Sequence, residues 1–247
     1  MTKTAQIFIA ACIVGGLAVA VGPGFASAQD GKPSGSGNAE GTINPVAQVR
    51  NARSWEYGPF VNYGVGVGDR SSYKFLSAGA QVGKAIGGVH HAGPLSGQFE
   101  LNGNVMPLWQ AYTPAAHQET FHCCGSSWVA PVGGGTYYGV SITPVIFRWN
   151  FLTSSKRIQP WFQGAGGLIY TTHKFPGVQQ VPHGTAGGTS VWNFTPQGGG
   201  GVHYFVRPRR SIDFGVNAVH ISSASLGDRN PGVNASFQFQ VGYTYWK

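Results

Sequence analysis

Charge is scarce in this chain. Asp, Glu, Lys and Arg make up 10% of its 247 residues, where soluble domains carry about a quarter. Long apolar runs are scarce too. After an N-terminal stretch at 5–21, nothing approaches the ~20 residues that a membrane-spanning helix needs. Cysteine is limited to Cys12 and the neighbours Cys123 and Cys124. Adjacent cysteines form only a strained, reducible bond, so no disulfide framework is expected. His122 precedes the pair and His117 lies close, but the spacing matches no standard zinc pattern. No metal and no organic cofactor is therefore expected. Acidic residues number only eight, which leaves few carboxylates for chemistry. The net charge of +8 is thinly spread, with Lys156-Arg157 and Arg207-Pro208-Arg209-Arg210 as its clusters. Nucleic-acid binding would need a basic stripe on a recognisable module. Anionic lipid head groups match such clusters better, and solvated turns fit them at least as well.

What the chain has in quantity is glycine, 39 residues, and aromatic side chains, 13%. Its mean hydropathy of -0.07 is that of a sequence in which polar and apolar residues average out. Strands that alternate between lipid and lumen produce this average. A soluble secreted β-sandwich is the competing architecture. Lys3, the apolar run and Ala26-Ser27-Ala28 predict a signal peptide over 1–28, cleaved after Ala28. A Gly/Ser/Pro-rich stretch at 30–45 predicts a flexible linker over 29–52, and 53–247 then forms one barrel domain.

Strand-like segments follow at 55–68, 73–86, 97–112, 136–151, 159–172, 189–206, 211–225 and 233–246. Eight is the number with which the smallest outer-membrane barrels close without an edge. The expected fold is an all-β, eight-stranded antiparallel transmembrane β-barrel. Connections at 69–72, 152–158 and 207–210 are short; those at 87–96, 113–135 and 173–188 are longer. Short periplasmic turns and long outer loops are the rule. The alternation is consistent only from 173–188 onward, which makes 225–233 an outer loop. The last segment places Ala235, Phe237, Phe239, Val241, Tyr243 and Tyr245 on one face, and polar residues on the other. Its aromatic finish, Tyr243-Thr244-Tyr245-Trp246, is similar to the terminal strand read by the barrel assembly machinery.

The seventh segment carries the chemistry. Ile212, Phe214, Val216 and Ala218 share a face by period two, and His220 and Ser222 continue it. Two polar side chains thus face hydrocarbon, where an unpartnered polar group costs several kcal/mol. Their Cβ atoms lie about 7 Å apart, close enough for an imidazole to act as general base on a hydroxyl. An interfacial His and Ser hydrogen-bonding near head groups fits the same two residues. Inward, Glu100 is expected to pair with a lumen Arg such as Arg148.

His220-Ile221-Ser222-Ser223-Ala224, followed by Asn230-Pro231-Gly232, resembles the active-site region of the PagL lipid A 3-O-deacylase family. Gly93-Pro94-Leu95-Ser96-Gly97-Gln98-Phe99-Glu100 and Pro160-Trp161-Phe162-Gln163-Gly164-Ala165-Gly166 are similar to members labelled acyloxyacyl hydrolases, as is Leu226-Gly227-Asp228-Arg229-Asn230-Pro231-Gly232. The resemblance implies an outer-membrane enzyme with a Ser-His-Glu triad on its lipid-facing wall, acting on acyl chains of lipid A or lipopolysaccharide. It implies Ser222 as nucleophile, His220 as base, Ser223 at the oxyanion contact and Asn230 in support. Two positions depart from the family pattern. Ser223 replaces an Asn, leaving its backbone N–H as donor. Asn234 stands where the triad Glu is expected, and it orients without supplying charge. The third member stays open between Asn234, Asp228 and no residue. The alternative is a non-catalytic barrel with a degenerate site, structural or adhesive. A passive channel fits poorly, because eight strands leave an interior filled by side chains. Dimerisation is left open.

Overall fold

The computed structural model describes residues 44–247 apart from 116, 124, 133–134, 176–189, 225 and 227–233. The expected signal peptide, most of the linker, Cys124, Asp228 and Asn230 lie outside the described residues. Part of the stretch read as flexible linker is a helix, α1 (Pro45–Ala52). Asn44 caps it by accepting the Ala47 N–H at 3.0 Å, and Pro45 opens it without a donor to satisfy. The Gly/Ser signal of 30–45 hid this cap-and-proline start.

Among the described residues eleven strands follow: β1 (Trp55–Gly66), β2 (Lys74–His90), β3 (Gly97–Tyr112), β4 (His117–Cys123), β5 (Ser126–Val132), β6 (Thr136–Phe151), β7 (Ile158–Phe175), β8 (Ser190–Phe194), β9 (Gln197–Arg207), β10 (Arg210–His220) and β11 (Ala235–Trp246). β4 and β5 pair only with each other, as a hairpin in the 113–135 connection. The others run β6-β3-β2-β1-β11-β10-β9-β7-β8, and the β6–β7 pairing closes the barrel. β8 and β9 form one wall. Gln197 lies opposite Val219 and, three residues on, Phe194 lies opposite Ser222, so the register runs through Thr195-Pro196. Pro196 interrupts the ladder because it has no N–H. The barrel is therefore eight-walled and antiparallel, as the segment count anticipated.

Both chain ends of the barrel lie at one rim, called here the lower rim, where Trp55 and Lys247 exchange backbone hydrogen bonds at 2.7 and 2.8 Å. The connections at 91–96, 152–157 and 208–209 are on this side. The upper rim carries 67–73 and the described strand ends that flank 113–135, 176–189 and 221–234. The first connection breaks the length rule: 67–73 is short but upper, and 91–96 is lower. This is why alternation by length was legible only in the second half.

Burial separates the two faces. Phe237, Phe239, Val241 and Tyr245 face outward and are exposed, whereas Ser236, Gln238, Gln240 and Thr244 are buried inside. The lumen is filled in layers. Tyr73, Phe75, Trp109, Ile169, Phe175 and Ile221 close its upper part. Lower down, Arg148 donates to Glu56 at 2.9 Å and to Glu100 at 3.0 Å, which bears out the expected Glu100–Arg148 pair and adds Glu56. At the bottom, Val46 and Val49 of α1 pack with Phe205 and Trp246. Between them a cavity of about 20 Å³ has room for roughly one water molecule.

Candidate active site on the barrel wall

β10 carries Ser211, Asp213, Gly215, Asn217 and Val219 inward, all buried, and Ile212, Phe214, Val216, Ala218 and His220 outward. His220 therefore leaves the barrel on the hydrocarbon side, as parity requires. The ladder ends there, but the chain stays pinned through Ser222. The His220 N–H bonds the Pro196 carbonyl at 3.0 Å, and Ser222 exchanges two backbone bonds with Phe194, at 2.9 and 2.7 Å. Between them Ile221 turns inward at 3% exposure, into the aromatic cluster. That apolar anchor fixes the parity of its neighbours, so His220 and Ser222 are both presented outward. The Ala224 N–H then reaches the Ser222 Oγ at 3.2 Å, in a turn that holds Ala224 at φ 48. A non-glycine residue in this left-handed region stores strain of about 1–2 kcal/mol. Ser223 is buried.

Asn234 meets the segment through its backbone. Its carbonyl accepts the Ile221 N–H at 2.8 Å and lies within hydrogen-bonding reach of the His220 imidazole. Its side chain points the other way: Oδ1 accepts from Nε of the buried Arg70 at 3.0 Å. The Asn234 main chain thus lies beside His220, while Ser222 is held on the same strand extension by Phe194. The Asn234 amide is directed toward Arg70, on the lumen side. Strand parity carries the reason, since Asn234 immediately precedes the outward Ala235, which pairs with His220.

Below His220 the outer wall is bare. One rung places His220 beside Pro196 and Gly166 and the next places Ala218 beside Gly198 and Gly164; at the third, Val216 and Gly200 meet the exposed ring of Phe162, which ends the bare stretch. An added Cβ at Gly164 or Gly166 would meet nothing within 4 Å, and at Gly198 it would make only ordinary contact. Larger side chains stand on both flanks, Val145 and Phe147 on β6 and Phe237 and Phe239 on β11. The result is a shallow apolar trench running about 7 Å down the strands from His220, by the rise per residue, and closed below by Phe162. On β9 it is Gly198 and Gly200 that face outward, whereas Gly199 and Gly201 meet the lumenal Asn217 and Trp161.

A second His–carboxylate set was not anticipated. His203 Nδ1 meets Asp213 Oδ1 at 2.8 Å, and Ser211 Oγ donates to the same oxygen at 2.7 Å. Thr244 donates to the other carboxylate oxygen. All four are buried in the lumen, and Ser211 bonds the carboxylate rather than the imidazole. This is a structural network, without a nucleophile that a lipid can approach. Nearby, Glu56, Glu100 and His203 bring ligand-type atoms within 4.8 Å of one another. Arg148 already bonds both carboxylates, and Glu100 also accepts from Asn102 and Asn150 at 2.6 Å. A guanidinium thus supplies the positive charge there.

The family model for lipid A 3-O-deacylase (PagL) matches residues 96–244. Among solved structures, the outer membrane enzyme PagL is similar over 75% of this chain and 98% of its own, at 17% identity and a TM-score of 0.39. Neisserial surface protein A covers 77% and 96%, at 15% identity and a TM-score of 0.44. The N-terminal β-barrel domain of Pseudomonas aeruginosa OprF covers 78% and 98%, at 12% identity and a TM-score of 0.38. A comparison with curated protein sequences finds no match.

Proposed function

The chain belongs to the lipid A 3-O-deacylase (PagL) family, and from that premise we propose that it is an outer-membrane esterase whose reaction is carried by Ser222 and His220. Family membership supports hydrolysis of an ester-linked acyl chain of lipid A. What carries the finer assignment is a juxtaposition: the outward His–Ser pair stands directly above the glycine trench on the lipid-facing wall. The upper rim, with the longer connections, corresponds to the extracellular side of such barrels. Lipid A enters sideways from its leaflet, with one acyl chain along the trench and its ester carbonyl at Ser222.

His220 takes the hydroxyl proton as Ser222 Oγ attacks the carbonyl carbon. The tetrahedral intermediate collapses, and the imidazolium returns the proton to the departing sugar oxygen. Water, deprotonated by His220, then releases the fatty acid from the acyl-serine. The imidazole is oriented by the Asn234 main-chain carbonyl. A carbonyl aligns the ring but supplies no full charge. Catalysis therefore runs below that of a carboxylate-backed triad, on a scale set by the roughly 10⁴-fold cost of an Asp-to-Asn change in serine proteases. Asp228 is the one acidic residue close in sequence and stays a candidate for the third role, with Ser223 and Asn230 in support of the oxyanion.

The test is mass spectrometry of lipid A from outer membranes that carry the wild type, Ser222→Ala, His220→Ala or Asp228→Asn. Loss of one acyl chain in the wild type alone among the first three supports the esterase. Unchanged lipid A in all of them overturns it and leaves the non-catalytic barrel. Loss of activity in Asp228→Asn assigns that carboxylate the third role.

A further inference from the structure

We infer that the lower rim is a binding surface for anionic phospholipid head groups, centred on the Arg207–Arg210 turn. Charge on this barrel is segregated. Arg207, Arg209 and Arg210 on one turn, Lys156 and Arg157 on the next, and Arg53 and Lys247 beside the chain ends are all exposed at the lower rim. Among the described residues, no acidic side chain is exposed there. Glu56, Glu100 and Asp213 lie inside the lumen, and Glu119 belongs to the upper hairpin. The ion pairs of the described residues are all lumenal, so these cations are not matched to carboxylates at the rim.

The wall just above the rim has the form that a head-group layer selects. Lys84 lies opposite Trp55 in the β1–β2 register, with Nζ 4.7 Å from the ring centroid. Arg210 lies opposite Tyr245, its guanidinium carbon 5.3 Å from that ring. Both pairs face outward. Aromatic rings settle at the level of lipid head groups, and the cations beside them are then held at the depth of the phosphates. Two such pairs occupy the terminal rungs of β1, β10 and β11, next to the exposed arginines. The 208–209 turn holds Arg209 at φ 62, and its carbonyl accepts the Trp246 N–H at 3.0 Å. The arginine cluster is thus mounted on a rigid hairpin end and not on a loose loop.

The occupant is a phospholipid, because the rim lies level with a head-group layer and because the cations fan around the wall rather than converge on one pocket. Zwitterionic lipids offer a phosphate masked by their own ammonium group. Phosphatidylglycerol and cardiolipin offer it unmasked, and each surface cation favours an anionic membrane by roughly fivefold. Short turns mark this rim as periplasmic, so the leaflet concerned is the phospholipid one. The surface is remote from Ser222 and depends on the barrel's membrane setting, not on the esterase reading.

The experiment uses the full barrel in vesicles free of lipid A, with phosphatidylglycerol and phosphatidylcholine in equal amounts. Native mass spectrometry then counts the lipids that stay bound. The wild type is expected to retain phosphatidylglycerol over phosphatidylcholine by at least about tenfold, given the per-cation factor above. Raising the salt to 1 M, where the screening length falls to about 3 Å, is expected to weaken that preference. The triple variant Arg207→Gln/Arg209→Gln/Arg210→Gln is expected to lose most of it while keeping the heat-modifiable gel mobility of a folded barrel. Lys156→Gln/Arg157→Gln, on the neighbouring turn, is expected to lose less. Equal retention of the two lipids, or an unchanged preference in the folded triple variant, overturns the inference.

Discussion

Arg148 is the residue on which the lumen depends. Its guanidinium bonds Glu56, Glu100 and Gln163 and stacks 4.7 Å from the centre of the Trp161 ring, at 2% exposure. Arg148→Met preserves most of the volume but strands two buried carboxylates. Removing one partner of a buried ion network costs about 3–5 kcal/mol. Urea unfolding of the refolded barrel should therefore shift to clearly lower midpoints, and an unchanged midpoint would show that the carboxylates adjust without their cation. Asn234 is the opposite case. Its side chain serves Arg70 and its backbone serves His220 and Ile221. Asn234→Ala is thus expected to lower the rate of acyl release by less than about tenfold, far short of the 10⁴-fold scale for losing an orienting carboxylate. Asn234→Glu is expected to bring no gain, since its carboxylate would meet Arg70 first. A large gain in acyl release would place that side chain at the imidazole instead.

At the scale of elements, β7, β9 and β10 together form the glycine floor below His220 and Ser222. Glycine inside strands weakens them, so a run of them on one outward patch is a structural cost. At Gly166 an added Cβ would meet nothing within 4 Å, and at Gly198 it would make only ordinary contact with the Gln163 carbonyl. Gly166→Leu and Gly198→Leu should therefore leave the barrel as stable as before, or more so, because glycine is the residue that strands disfavour. Both should cut deacylation by tenfold or more by filling the trench. Thermal unfolding read beside the lipid A profile separates the two effects. Full activity in both variants would show that the acyl chain lies elsewhere. The Pro196 break belongs to the same element. It removes a donor from the wall opposite His220, yet its carbonyl still holds the His220 backbone.

The whole molecule is a closed wall around a packed interior. Aromatic side chains close the upper lumen, an ion network fills the lower, and α1 lies against Phe205 and Trp246 at the bottom. Among the described residues, a lumen filled by side chains and a cavity with room for about one water argue against ion conduction. Planar bilayers containing the purified protein should show no stepwise conductance, and reproducible steps would mean that α1 or the aromatic cluster moves aside. The distribution of charge belongs to this scale too, because turns far apart in sequence become one basic rim only when the barrel closes.

Strand number, the alternation of faces and the outward direction of His220 and Ser222 were legible in the chain. All three follow from period two, which is local and survives any error in strand boundaries. The Glu100–Arg148 pair was legible for the same reason. The orientation of the first connections was not, because loop length is a weak proxy for the rim on which a loop lies. Helix α1 escaped because a Gly/Ser-rich stretch masked one Asn-Pro cap. The glycine trench, the partition of Asn234 between Arg70 and His220, and the addition of Glu56 to the ion network were decided only by tertiary structure. Each depends on which residue stands opposite which across the wall or the lumen. That register is set by closure of the whole barrel and is not written in any one strand.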